Sequence, residues 1–306
     1  MPVDSVRLSF QGEGLWVLNL IIGLIMFGVA LDLRWQDFAR IVRSPKGPLI
    51  GLVAQFVLLP AFTFVLVLIL HPTPSIGLGM ILIAACPGGN VSNFLTYLAK
   101  GNTAMSVTMT AISTVVAVVL TPLNLGFWGS LNPETAAILT AIQMDPTDIF
   151  ETILLILGIP TALGMSCAFL LPTVARRLHQ PFKIFSIVAF LTFLGIAFSQ
   201  NLDVFVNYVG WVAFAVFLHN GLALSIGYSA AWLCGLPEAD RRAISIEVGI
   251  QNSALGLALV FRYFDGLGGM ALVAGWWGIW HIISGLTVAS IWARRPVPIA
   301  DDAEPA

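Results

Sequence analysis

Two polar stretches interrupt an otherwise apolar chain, and both carry oxygen-bearing side chains of the kind that bind hard cations. One is Cys86-Pro87-Gly88-Gly89-Asn90-Val91-Ser92-Asn93-Phe94-Leu95-Thr96-Tyr97-Leu98-Ala99-Lys100-Gly101-Asn102; the other is Ser245-Ile246-Glu247-Val248-Gly249-Ile250-Gln251-Asn252-Ser253. Glu247 is the one acidic residue well inside an apolar segment, the other fifteen of sixteen lying in loops, tails or near segment ends. A carboxylate at membrane depth costs about 2.5 kcal/mol or more and marks a functional site by default. Helical spacing predicts Gln251 one turn beyond Glu247 on the same face, with Asn252 and Ser253 adding oxygens. No Lys or Arg within the segments can pair with this carboxylate. A cation, a proton or several hydroxyl and amide donors must take that role, unless Glu247 is a structural residue, protonated or paired to another helix.

In the first stretch, Pro87 lacks an N–H, and Gly88 and Gly89 free the backbone, so the helix expected over 76–99 breaks in the middle. Lipid cannot satisfy the freed backbone groups. Such a break must be buried in protein or line a wet cavity, and its best-attested use is ion and substrate binding in secondary transporters. Ser106 and Thr110, spaced i, i+4 on the next segment, share a face and are candidate companions. Thr103, Thr108, Ser113 and Thr114 fit the commoner role of bonding back to a carbonyl one turn earlier. Gln55, in Val53-Ala54-Gln55-Phe56-Val57-Leu58-Leu59-Pro60, serves equally as helix–helix glue or as a ligand.

Composition sets the elements that must position these groups. Of 306 residues, 58% are hydrophobic and 10% charged, with a mean hydropathy of +0.92. Globular chains carry about 25% charged residues, so most of this chain must contact lipid or pack inside a bundle. A formal net charge of −2 says little about partners, but the lack of a basic run and of a soluble domain to carry one disfavours a nucleic-acid partner. Cys86, Cys167 and Cys234 form no CxxC pair, which argues against a disulfide framework or zinc site. Residues 1–14 lack the features of a signal peptide.

Windows of about 20 apolar residues divide the chain into nine spans, over 15–31, 47–70, 76–99, 103–123, 147–171, 182–200, 206–233, 242–261 and 267–291. Lys and Arg placement sets their direction. Arg34, Arg40, Arg43, Lys46, Lys100, Arg176, Arg177, Lys183, Arg241, Arg242, Arg294 and Arg295 fall on one face, twelve of the fourteen basic residues; only Arg7 and Arg262 fall on the other. This places the N-terminus outside and the C-terminus in the cytoplasm; the membrane expected, which the charges do not decide, is the plasma (inner) membrane.

The fold class expected is an all-α polytopic membrane protein. Residues 1–14 form an extracytoplasmic segment, 15–125 a first repeat of four spans, 126–145 an acidic outer loop, 146–293 a second repeat of five spans with a polar crossing helix over 242–261, and 294–306 a tail. An echo between Leu24-Ile25-Met26-Phe27-Gly28-Val29-Ala30-Leu31 and Leu191-Thr192-Phe193-Leu194-Gly195-Ile196-Ala197-Phe198, running in opposite directions, supports inverted repeats. The stretch from Arg34 to Lys46 reads as an amphipathic or solvated connector.

Cys86-Pro87-Gly88-Gly89 through Ser92-Asn93 to Gly101-Asn102, joined with Glu247-Val248-Gly249-Ile250-Gln251-Asn252-Ser253, resembles the bile acid:sodium symporter family. The resemblance implies a core and a panel domain, two broken helices crossing in the core, and two sodium sites beside the crossing. One site would use Ser92, Asn93, Ser106, Thr110 and Glu247. The other would use Gln55, Glu247 and Gln251 with the carbonyls of Val248 and Ile250. Sodium would be the coupling ion, with no other metal or cofactor. Two cations sharing one carboxylate, together with helix N-termini at the crossing, would favour an organic anion such as a bile salt or small carboxylate.

Asn90, Asn252 and His281 are the substrate candidates. Nine spans match the count of animal members of that family. Asn90 stands where bacterial members commonly have Thr, and Ile282 follows His281 where Asn can occur. The second swap removes a polar contact and argues against bile acid itself; His281 serves equally as a packing residue. The expectation is a sodium-coupled symporter importing an organic anion by alternating access, and not an enzyme, since no nucleophile–base pair or His cluster accompanies His281 and Ser284. The alternatives are proton coupling through Glu247, anion efflux, a passive channel or a sensor that binds without transporting. No protein partner is evident beyond the lipid bilayer.

Overall fold

The computed structural model describes residues 3–7, 13–31, 44–141, 150–151, 153–200 and 202–295. All regular elements in these residues are helical. After a short 3-10 turn, Val3–Ser5, they are α1 (Glu13–Ala30), α2 (Lys46–Leu70), α3 (Pro74–Ala85), α4 (Val91–Leu98), α5 (Thr103–Leu131), α6 (Pro133–Ala141), α7 (Leu154–Leu170), α8 (Pro172–Gln200), α9 (Leu202–Leu233), α10 (Glu238–Gly249), α11 (Ser253–Tyr263) and α12 (Gly268–Ala293). Lys46–Leu70, Thr103–Leu131, Val206–Leu233 and Gly268–Ala293 are four helices long and apolar enough to cross a membrane.

Two corrections to the expected boundaries follow from local chemistry. The segment expected as an outer loop, 126–145, is helical over much of its length: α5 continues to Leu131, and α6 starts two residues later. Asn132 supports the junction by accepting the Glu134 N–H at 2.9 Å, and Thr135 Oγ1 donates to Gly129 O at 2.6 Å. Likewise α8 starts at Pro172 rather than 182, with Arg176 and Arg177 exposed on its first turns. The connector basics Arg34, Arg40 and Arg43, residues 142–149, and the tail from 296 lie outside the described residues.

α3 and α10 sit at the centre of the bundle. Ser75 to Ala85 are all buried in α3, as are Arg242 to Gly249 in α10. Small residues make this possible, as in membrane bundles generally. A Cβ at Gly79 would lie 2.8 Å from Met270 Cα, so α3 and α12 approach backbone to backbone. At Gly227 of α9, a Cβ would lie 2.7 Å from Ile244 O of α10. α1, α7 and α8 pack on one another, and α1 reaches the remaining helices partly through α11.

Arg242 fastens one end of this bundle. Its side chain is 2% exposed, and its Nε donates to Glu238 Oε1 at 2.9 Å. Nη1 donates to Ala99 O at 2.9 Å and to Trp292 O at 3.0 Å. Those carbonyls lie at the C-terminal ends of α4 and α12, where orphan C=O groups and the helix dipole favour a cation. Asn102 adds a parallel tie from its Nδ2 to Asp240 Oδ1 at 2.7 Å. Arg242→Ala is expected to destabilise by about 3 kcal/mol, read as a lower thermal midpoint in detergent, whereas the exposed Arg294→Ala stays within about 0.5 kcal/mol of the native chain.

Candidate functional site

The sequence Cys86-Pro87-Gly88-Gly89 ends α3: Cys86 is extended (φ −72°, ψ 155°), and Asn90 is back in the helical region (φ −57°, ψ −20°) just before α4. A second interruption parts α10 from α11. Ile250 leaves the helix at φ −109°, ψ 93°, so Gln251 sits in an extended link rather than one helical turn beyond Glu247 as its spacing predicts. The freed backbone groups of the two interruptions satisfy each other. Gly89 N–H donates to Ile250 O at 2.7 Å, and Asn252 N–H donates to Pro87 O at 2.8 Å. Gly88 and Gln251 form the antiparallel bridge between them. A Cβ at Gly88 would collide with Glu247 Oε1, and one at Gly89 would press on Gln251 O at 3.3 Å. The paired glycines are therefore a packing requirement of the junction.

Glu247 is fully buried in the last turn of α10. Its Oε2 accepts from Ser92 Oγ at 2.5 Å and from Ser106 Oγ at 3.1 Å, while Oε1 accepts from Thr110 Oγ1 at 2.7 Å. Thr110 Oγ1 also lies 3.3 Å from Asn93 Oδ1 and 3.0 Å from Ser106 O. All five residues of the first expected set thus form one cluster, drawn from α4, α5 and α10. Thr96, which motif and spacing did not single out, extends it by donating to Ser106 Oγ at 3.3 Å. By contrast, Thr108 bonds back to Ala104 O at 2.8 Å, the ordinary habit of such residues.

The second expected set is tied together differently. Gln55 Nε2 donates to Gln251 Oε1 at 2.7 Å and to Cys86 O at 2.9 Å, and Gln251 Nε2 donates to Val248 O at 2.7 Å. Gln55 falls within a π-helical stretch, Ala54–Leu58, ahead of Pro60. A proline cannot donate to the carbonyl four residues back, and a widened turn is one way to absorb that loss. Gln55 Oε1 is buried and lacks a hydrogen-bond partner, while Ile250 O is engaged by Gly89.

The family model that matches residues 19–208 is the Sodium Bile acid symporter family. The chain belongs to it. Among relatives of this symporter family, an uncharacterized sodium-dependent transporter of Bacillus subtilis, YocS, is 33% identical over 291 residues, covering 94% of this chain and 87% of the relative. The probable sodium/metabolite cotransporter BASS2 of Oryza sativa chloroplasts is 31% identical across 92% of this chain and 64% of its own length. The ileal sodium/bile acid cotransporter of rabbit, Oryctolagus cuniculus, is 27% identical across 81% of this chain and 70% of its own length. The chain is accordingly an integral membrane protein of a transporter family.

The three substrate candidates occupy distinct positions. Asn90 and Asn252 immediately precede α4 and α11. Asn252 Oδ1 accepts the Leu255 N–H at 3.0 Å, whereas Asn90 makes no side-chain cap. His281 lies on α12 at 5% exposure with Nδ1 lacking a hydrogen-bond partner, and among the described residues no hydrogen bond joins its ring to either asparagine. Asn220 of α9, which the sequence reading passed over, donates from Nδ2 to Gly249 O at 2.8 Å and so holds the end of α10. Its signal was available: with His219 it is a polar pair inside an apolar span.

Removing a donor from a buried carboxylate costs more than removing a hydroxyl that only bonds back to its own helix. Thr110→Val is expected to lower stability by about 1–3 kcal/mol, and Thr108→Val by under about 1 kcal/mol, both read from thermal unfolding of the detergent-solubilised chain.

Proposed function

We propose that the protein is a sodium-coupled symporter that imports an organic anion by alternating access. The observation that carries this reading is Glu247, a carboxylate buried at the junction of two interrupted helices, with three hydroxyl donors and no Lys or Arg bonded to it among the described residues. Sodium prefers oxygen ligands of this type. In this reading Ser92, Asn93, Ser106, Thr110 and Glu247 hold one sodium ion. Gln55, Gln251, Glu247 and the carbonyls of Val248 and Ile250 hold another, with the unpartnered Gln55 Oε1 a ready acceptor. The names of the relatives, which specify sodium-dependent transport or sodium cotransport, support the choice of ion.

The architectural part of the proposal follows from the same residues. α3 with α4, and α10 with α11, act as two broken helices crossing in a core; α1, α7 and α8 belong to the panel. The repeats over 15–125 and 146–293 are inverted, with the N-terminus outside and the C-terminus cytoplasmic. Sodium draws α4, α5 and α10 onto one ion, so the anion meets an organised crossing only in the ion-loaded state, which is a coupling free energy between the two ligands. The anion lies at the N-termini of α4 and α11, near Asn90 and Asn252, with His281 on the adjoining α12.

Thermal stability of the purified chain in sodium, potassium and choline at matched ionic strength tests the ion. Sodium alone should raise the midpoint, by an amount corresponding to about 2.7 kcal/mol at a hundredfold excess over Kd, and Glu247→Ala should abolish the rise. A pH-dependent rise without sodium specificity would replace sodium by a proton.

A further inference from the structure

Asn252 presents its side chain in a fixed pose. Its backbone N–H is held by Pro87 O at 2.8 Å and its Oδ1 by the Leu255 N–H at 3.0 Å, so the direction of Nδ2 is set. That group donates to the sulfur of Met26, 3.6 Å away on α1. A thioether is a weak acceptor, and this one sits beside the N-cap residue of α11, where the dipole and free N–H groups favour negative charge. Met26 is 1% exposed, among the largest fully buried side chains of the chain. It is also unbranched, with three rotatable bonds, and repacks more readily than Leu or Phe. The contact joins α1, which carries none of the candidate site residues, to the α10–α11 junction, which carries several of them.

We propose that Met26 is a displaceable plug at the anion position and the residue that sets which anions fit there, an inference that rests on reading the crossing as the anion site. An arriving carboxylate takes Asn252 Nδ2 as a stronger, charge-assisted acceptor. The thioether swings aside and lies along the carbon skeleton of the anion. The substrate class is therefore a monocarboxylate with an apolar body. The exchange also removes a contact between α1 and the core, so the empty crossing stays sealed and rearrangement waits for the anion.

The test uses the full chain with pyruvate and phenylpyruvate, which share a head group and differ in bulk. The readouts are the concentration of each acid that half-stabilises the protein in saturating sodium, and sodium leak into proteoliposomes without any acid. Met26→Ala should lower the phenylpyruvate-to-pyruvate concentration ratio on the order of tenfold and increase the leak. Met26→Leu, which conserves volume, should leave the ratio near native. Met26→Val carries the same prediction as alanine should the larger truncation unfold the chain. An unchanged ratio in Met26→Ala, with both acids stabilising it, overturns the role of Met26 alone. Failure of both acids to stabilise the native chain while its sodium shift is intact overturns the anion reading, and this proposal with it.

Discussion

A polypeptide that interrupts two helices inside a buried bundle must find partners for every N–H and C=O it releases, because neither lipid nor a packed interior supplies them. Here each interruption is the other's partner. Gly89 with Ile250, and Asn252 with Pro87, form a short main-chain stitch at the centre of the molecule. Everything around it answers to that stitch. The glycines at 88 and 89 exist because a side chain there would strike Glu247 or Gln251. The buried Arg242 closes off the carbonyls at the far ends of α4 and α12, leaving the helices free to present polar groups at the centre.

The stitch also brings charge and oxygen together. It sets the end of α10 against the start of α4, which puts Glu247 beside Ser92. The neighbouring α5 then needs only Ser106 and Thr110 on one face to complete the hydroxyl shell. On the other side of the junction, Gln55 reaches both Gln251 and Cys86 O, so α2 is joined to each interruption at once. The two groups together draw on α2, α4, α5 and α10, so a change at either is felt by several helices at once.

Much of this was legible in the sequence because the signals are categorical. A lone acidic residue in an apolar span, a Pro-Gly-Gly interruption and an i, i+4 hydroxyl pair each have few physical explanations, and all led to residues that the fold gathers. The family motif brought Gln55 and the carbonyl groups into view, which spacing alone left open. What sequence missed has a physical cause as well. Helical spacing puts Gln251 one turn beyond Glu247 because a single glycine, here Gly249, is common inside membrane helices and does not by itself mark the stop. The stretch from 126 to 141 looked like a loop because its acidic, small-residue composition hides helices that Asn132 and Thr135 cap locally. Asn220 and Met26 make contacts across 29 and 226 residues of sequence, and although the polar pair His219-Asn220 stands out in its span, nothing in the sequence names either partner.

The hydrogen bonds of the central stitch use only main-chain atoms. They ask nothing of side-chain identity beyond the two glycines, so positions 90 and 252 can change chemistry while the crossing stays intact. A scaffold wired in this way separates what holds it together from the side chains it presents. Single replacements at the helix starts can then alter the polar groups presented there without unmaking the main-chain stitch.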